Sequence, residues 1–190
     1  MKSLAVERRR LMMNHNDNDC AVRDLALWVG LYRITLGVMW LQMALQKAPW
    51  VLGPEGKPYG WLYGYIWKEI NHPTFGFYTA FLQAVLLPNF TLFGFVAFIT
   101  EIAIGLSLVL GLFVPLIGGL GGTLMQTNIM LGSYSIPGEW FWLWPLLIGS
   151  HVIFMMGRAG RRLGLDAAIA RSLKRPNRTG MIQNLLPYLV

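Results

Sequence analysis

The sequence predicts an all-α integral membrane protein: a bundle of four transmembrane helices, with interfacial helices in the first outer loop. Of its 190 residues, 55% are hydrophobic and only 13% are charged, whereas about a quarter of a soluble domain is charged. The charges concentrate at the two ends of the chain, and long apolar stretches lie between them. Stretches of this length and composition can cross the hydrocarbon core as helices.

The first span is predicted at residues 25–45, where Arg33 is the only charged residue. A loop rich in Pro and Gly follows at 46–60. The next stretch, 61–87, contains two aromatic-rich segments that are each too short to span. Because Trp and Tyr favour the membrane–water interface, we expect these two segments to form helices that lie flat on the bilayer.

The second span is predicted at residues 91–113, with Glu101 near its middle, and it is broken by Pro115. A shorter, Gly-rich third span is predicted at 116–131. A loop rich in turn residues separates it from the fourth span, at 141–157.

These spans divide the chain into a polar N-terminal segment (1–24), a transmembrane domain (25–157) and a basic C-terminal tail (158–190). Both ends are rich in Lys and Arg, so the positive-inside rule places both termini in the cytoplasm and the chain in the inner membrane. The net charge of +7 lies beside the spans. The positive charge therefore indicates the orientation of the chain in the bilayer, and it does not indicate a nucleic-acid-binding surface.

Each span carries one polar side chain near mid-depth. These side chains are Arg33, Glu101, Gln126 and His151. At 1.5 Å per residue, each lies about 12–15 Å from one end of its helix. Charges at this depth are costly unless they are paired, so we predict that Arg33 pairs with Glu101. The pair could serve a ligand or proton role, or it could only lock the helix register. His151 fits a hydrogen-bonded core residue better than a metal ligand.

Helical spacing predicts which faces turn inward. On the first helix the inward face is Arg33, Gly37, Trp40, Ala44 and Lys47; on the second it is Gly94, Ala97, Glu101, Gly105 and Leu108. Gly118 and Gly122 form a small-xxx-small pair that permits close helix approach. With one cysteine and three scattered histidines, the sequence predicts no metal, haem or Fe–S site.

Several of these pieces together resemble the DoxX/DoxD family of small four-helix membrane proteins. The resemblance covers about residues 25–170. It rests on Arg33 to Gly37 with Lys47, Phe81-Leu82 with Pro88-Asn89, Glu101 to Gly105 with Leu110-Gly111-Leu112, and the segment Gly157 to Asp166.

The resemblance implies a membrane subunit of thiosulfate:quinone oxidoreductase, which passes electrons from thiosulfate to a quinone and works with a DoxA subunit. On that basis Glu101 and Arg33 are the candidate catalytic residues, with Glu101 handling a proton. The candidate ligand-binding residues are Arg33, Lys47, Gln126 and His151. Arg33 or His151 would donate to a quinone carbonyl, and Lys47 would attract an anionic substrate. The chain is not expected to be catalytic alone.

The alternative is a non-catalytic accessory subunit of a larger respiratory or photosynthetic membrane complex. The polar N-terminal segment, the aromatic outer loop and the apolar stretch Met181 to Val190 would then be docking surfaces. A transporter is less favoured, because the sequence shows no inverted repeat or pair of broken helices.

Overall fold

The structure is a computed structural model that describes the backbone of residues 2–173 and the side chains of residues 24–172. All regular elements within that range are helical. In chain order they are α1 (Lys2–Gln46), α2 (Leu62–Asn71), α3 (Gly76–Phe81), a π-helix (Leu82–Leu86), a 3-10 turn (Leu87–Asn89), α4 (Phe90–Leu110), a second π-helix (Val114–Gly121), α5 (Gly122–Ser133), α6 (Leu143–Met156), a 3-10 turn (Ala159–Arg161) and α7 (Leu165–Leu173). The apolar stretch Met181 to Val190 lies outside the described residues.

Within the described part of the chain, two helical segments are long and apolar enough to cross a membrane: Asp24–Gln46, within α1, and Gly76–Leu110. Their most apolar windows are only 28% and 33% buried inside the protein. The core helix of a soluble protein would bury most of its apolar side chains, whereas these helices present theirs outward, as lipid-facing helices do. α6 is a shorter apolar helix.

The second long segment is more continuous than the sequence analysis predicted. Helical backbone runs through Pro88 without a break, so α3 and the first π-helix lead directly into α4. Pro88 lies in the first positions of a short 3-10 turn, where its missing N–H removes no helical hydrogen bond. α4 ends at Leu110, three residues before the predicted end, because Gly111 adopts a left-handed conformation with φ 65°.

Glycines set the close packing of α1 against α4. A Cβ atom on Gly37 would lie 2.8 Å from the backbone nitrogen of Val109, and one on Gly105 would lie 2.7 Å from the Leu41 side chain. Only glycine permits backbones to approach this closely. The predicted inward faces are confirmed: all named positions on both helices are buried, except Ala97, which is half-buried.

The second pair of packed segments joins the second π-helix and α5 to α6. Gly118 lies against Leu108 of α4, and Gly122 lies against the ring of His151 on α6. The prediction that these two glycines mark a close helix contact is confirmed.

Two apolar clusters hold the described residues together. One lies among α1, α4, α6 and the second π-helix: Leu36, Trp40, Ile104, Leu108, Val114, Phe154 and Ala159. The other joins α2 and α3 to the start of α4: Tyr59, Ile66, Ile70, Tyr78, Leu82 and Phe90. Residues of both clusters line a cavity between them.

Candidate functional site

A cavity of about 530 Å³ lies between α2 and the helices α1, α4, α5 and α6. Its volume falls within the range of about 300–1,000 Å³ that small-molecule sites occupy. Most of its wall is apolar or aromatic. The ionisable or hydrogen-bonding side chains in that wall include Lys47, Tyr65, Glu69, Glu101, Gln126 and Trp144. An apolar cavity with a few polar groups is the usual form of a site for an apolar ligand with a polar head.

Lys47 and Glu101 form a buried ion pair at the cavity wall. Lys47 Nζ donates to Glu101 Oε1, and the two side chains are 7% and 1% exposed. The ammonium group also lies 5.0 Å from the centre of the Trp61 ring, a cation–π distance. The second carboxylate oxygen, Glu101 Oε2, is buried and has no hydrogen-bond partner. Since a buried unpaired oxygen costs about 1–3 kcal/mol, its presence beside a cavity suits it to receive a ligand group.

Trp144 contributes a hydrogen-bond donor, whereas Glu101 Oε2 is an acceptor when ionised. Its ring lines the cavity, its side chain is 6% exposed, and its indole N–H has no acceptor in the described structure. Trp144 was not among the site residues predicted from the sequence. A usable signal was present, because a tryptophan inside an apolar span carries a donor that needs a partner.

Glu69 of α2 is a third buried ionisable group at the cavity, 7% exposed. Its Oε1 accepts a hydrogen bond of 3.1 Å from Ser133 Oγ, and its carboxylate lies against Gly132, where a Cβ atom would collide with it. Burial raises the pKa of Glu69 to about 7, although the Ser133 bond acts to lower it. Sequence reasoning missed Glu69, although it lies on the apolar face of α2 with Leu62 and Ile66, at helical spacing.

Gln126 of α5 is buried and lines the same cavity as Glu101 and Lys47. Three of the residues chosen from sequence, Lys47, Glu101 and Gln126, therefore surround one volume. Arg33 and His151 are not in its wall.

The predicted pairing of Arg33 with Glu101 is wrong. The Arg33 guanidinium donates instead to the carbonyl oxygens of Leu108 and, at 3.0 Å, of Leu163. Leu108 lies seven residues beyond Glu101, about 10 Å along α4. Lys47 was assigned to the end of the first span, but its long side chain reaches back into the bundle and takes the position expected of Arg33.

Arg33 belongs to a second charged cluster, which we term the Arg33–Asp166 clamp. Asp166 Oδ1 accepts from the backbone N–H of Phe113 at 2.7 Å, and Oδ2 accepts from that of Val114 at 3.0 Å. Arg33 thus bonds a carbonyl at the C-terminal end of α4, while Asp166 caps the start of the next helix. Burial raises the pKa of Asp166, against lowering effects from the two backbone N–H groups and the Arg33 charge.

The clamp explains the glycines in the segment Gly157 to Asp166. Gly160 lies against the Asp166 carboxylate, and Gly164 lies against the backbone of Gly111. The backbone N–H of Asp166 also donates to the Gly111 carbonyl at 2.8 Å. This segment therefore folds back onto the turn after α4 and fixes it.

Both ring nitrogens of His151 are engaged inside the protein. Nδ1 donates to the Gly118 carbonyl at 2.6 Å, and Nε2 accepts from the Trp40 indole N–H at 3.0 Å. The side chain is fully buried. The interpretation of His151 as a hydrogen-bonded core residue therefore agrees with the structure better than its assignment as a ligand-binding residue.

The fold and cavity define a helical membrane protein that encloses a ligand-sized apolar site edged by charges. The family model for DoxD, the TQO small subunit, matches residues 28–189. The chain belongs to the DoxD family, and it is accordingly a membrane subunit of an oxidoreductase complex. A search of curated proteins and a search of solved structures each gave no match.

Proposed function

We propose that this chain is the quinone-binding membrane subunit of a thiosulfate:quinone oxidoreductase and that the cavity between α2 and the bundle receives the quinone head group. The observation that carries the proposal is that two residues lining one apolar cavity, Glu101 and Trp144, each hold a buried polar atom, Oε2 and the indole N–H, with no partner among the described residues. A quinone matches such a wall, because it is a flat apolar ring with carbonyl oxygens that accept hydrogen bonds.

A bound quinone supplies a carrier for two electrons and two protons. The Trp144 indole would donate a hydrogen bond to a carbonyl and orient the ring. The Glu101 carboxyl would hold or release a proton at Oε2, and Lys47 would stabilise its carboxylate form. The Gln126 amide would supply a further donor, and the surrounding apolar side chains would exclude water.

The structure changes three of the roles proposed from sequence. Arg33 and His151 bond to other parts of the protein, so they support the fold around the site and are not proposed as ligands. Lys47 is buried and paired with Glu101, so it is not placed to attract thiosulfate from solvent. A doubly charged anion would lose much hydration energy in an apolar cavity. We therefore place thiosulfate oxidation in a partner such as a DoxA-like subunit, on the outer face.

We propose the following topology. The four predicted spans within residues 25–157 cross the inner membrane, and the segments 1–24 and 158–190 lie in the cytoplasm. The outward-facing apolar surface of α1 and α4 and the basic ends of the chain support this arrangement. The Arg33–Asp166 clamp then lies toward the cytoplasm, and α2 covers the cavity from the outside.

The test measures binding of a short-chain quinone, decylubiquinone, to the chain in lipid nanodiscs. Quenching of tryptophan fluorescence reports the binding. We expect saturable binding that weakens in Trp144→Phe and in Glu101→Gln. Trp50→Phe is the matched control, because Trp50 is 72% exposed and does not line the cavity. Absence of saturable binding by the wild-type chain would contradict the proposal and would favour the accessory-subunit alternative.

A further inference from the structure

A second group of polar side chains lies along one side of the cavity. It comprises Glu69 and Tyr65 of α2, Ser133 at the end of α5, and Glu139 in the loop before α6. Neither the quinone-binding role nor the Lys47–Glu101 pair accounts for these four residues.

Their contacts form a chain. Ser133 Oγ donates to Glu69 Oε1 at 3.1 Å, and Tyr65 OH donates to Glu139 Oε1 at 3.1 Å. The two bonded pairs adjoin, because Tyr65 and Glu69 lie four residues apart, one turn, on the same helix α2. Ser133 is fully buried, whereas Tyr65 and Glu139 are half-buried. The group therefore runs along the cavity wall from a half-buried carboxylate, Glu139, to a buried one, Glu69.

We propose that Tyr65 and Ser133 conduct protons from Glu139 to Glu69, and that Glu69 donates a proton to the quinone oxygen during its reduction. This inference rests on the proposed quinone site. It adds a proton donor and an entrance for protons, which that site does not itself specify.

Reduction to the quinol takes two electrons, supplied by thiosulfate through the complex, and two protons. Glu69 supplies one of these protons: its O–H bond breaks as a quinol O–H bond forms. The resulting carboxylate regains a proton from Ser133, which is replenished in turn by Tyr65 and Glu139. Each transfer requires the Tyr65 hydroxyl to turn from Glu139 toward Ser133.

The protonation properties of the chain suit this role. The pKa of Glu69, raised to about 7 by burial, allows it to hold and release a proton near neutral pH. Burial raises the pKa of Tyr65 to about 12, so its phenol stays protonated and passes protons only by exchange. The other titratable group that faces Glu69 is Tyr78 of α3, whose hydroxyl donates to Asn128.

The first experiment observes the Glu69 carboxyl directly, by infrared spectroscopy of the full-length chain in nanodiscs. We expect a carboxylic C=O band that titrates with a midpoint of about 7 and shifts when decylubiquinone is added. The band should be absent in Glu69→Gln and present in Glu55→Gln, which alters an exposed carboxylate outside the cavity. A band with this midpoint that persists in Glu69→Gln and disappears in Glu101→Gln, or one that bound quinone leaves unchanged, would overturn the inference.

The second experiment measures thiosulfate-dependent quinone reduction in membranes that carry the whole complex. Glu69→Gln should slow the reaction about a hundredfold, the usual scale for loss of a proton donor, while quinone affinity stays within about twofold. Tyr65→Phe should slow the reaction less and shift its pH profile, because Glu69 remains but regains its proton more slowly. An unchanged rate in Glu69→Gln with quinone binding intact would overturn the proton path alone. Failure of the wild-type chain to bind quinone would instead overturn the proposed function.

Discussion

Two charged regions among the described residues, the Arg33–Asp166 clamp and the Lys47–Glu101 pair, bond their charges in different ways. In the Arg33–Asp166 clamp, the charged groups are bonded to backbone groups at the ends of helices: Asp166 to two N–H groups and Arg33 to two carbonyls. At the cavity, Lys47 and Glu101 are bonded to each other, and one carboxylate oxygen is left without a partner.

The difference shows how buried charges can be sorted into structural and functional groups. A charge whose bonds go to the main chain holds helix ends together; Arg33 also has an unbonded nitrogen, Nε, but Arg33 does not line the cavity. A charge paired to a side chain beside an open volume keeps unsatisfied atoms that a ligand can use. The contrast predicts that substitutions in the clamp change stability, while substitutions at the cavity chiefly change binding.

The largest expected effect is at the clamp. Arg33→Met would leave two carbonyls unbonded and would remove one of the two cations, Arg33 and Arg161, that act on the Asp166 carboxylate, so we expect a loss of about 3–5 kcal/mol of stability. Thermal unfolding in detergent would measure it, with Arg162→Met, at an exposed position, as the control. Quinone affinity of the remaining folded protein should be unchanged. A stable Arg33→Met variant with impaired quinone binding would reverse the contrast between the two regions.

The next effect is at the ion pair. Lys47→Met alone should also destabilise the protein by about 3–5 kcal/mol, because it leaves a buried carboxylate uncompensated. The double variant Lys47→Met with Glu101→Gln should recover most of that loss, since no buried charge remains, yet it should bind quinone weakly. Unfolding and binding measurements on the same preparations separate the two outcomes. Equal losses in the single and double variants would show that the pair has no compensating role.

Stability should also depend on pH through Glu69. Its pKa is about 7 in the folded protein and near the ordinary value of about 4.3 when exposed, so the folded state holds the proton more tightly. Stability is therefore greatest below the unfolded pKa and falls as pH rises to about 7, by about 3 kcal/mol in all. Glu69→Gln should flatten the unfolding profile over this range. A profile that keeps its slope in Glu69→Gln would assign the dependence to another group.

The smallest effect concerns Trp144. Replacement by phenylalanine removes a buried donor that has no acceptor, so stability should be unchanged or slightly higher. The loss of one hydrogen bond to the quinone, worth about 1 kcal/mol, should weaken binding about fivefold. Isothermal titration and thermal unfolding of Trp144→Phe would check both. Reduced stability with unaltered affinity would indicate that the indole supports the fold and not the ligand.

The helical class and the inward faces of two helices could be predicted from the sequence, because hydropathy and helical spacing depend on local composition. Helix ends were predicted less well. The left-handed turn at Gly111 and the continuity through Pro88 depend on how the chain packs beyond the local sequence.

The site was predicted in part. Depth counting brought Glu101 and Gln126 to one level, and the cavity contains both. The same counting failed for Arg33, because it locates the Cα atom and not the reach of a long side chain. The side chains of Lys47 and Arg33 both extend several ångströms from the backbone. Each therefore bonds a partner that the position of its Cα atom along the helix did not indicate. Glu69 was missed because α2 was regarded as an interfacial segment and not as a wall of the cavity.

In the proposed topology Glu139 lies in an outer loop, and that location would have an energetic consequence for the cell. In the proposed arrangement, thiosulfate releases its electrons on the outer face, and the protons that reach Glu69 also start from that face. Electrons and protons would then enter from one side, so their transfer to quinone would move no net charge across the bilayer. Such a reaction would add nothing to the membrane potential, and its energy would be conserved only where the quinol is later reoxidised.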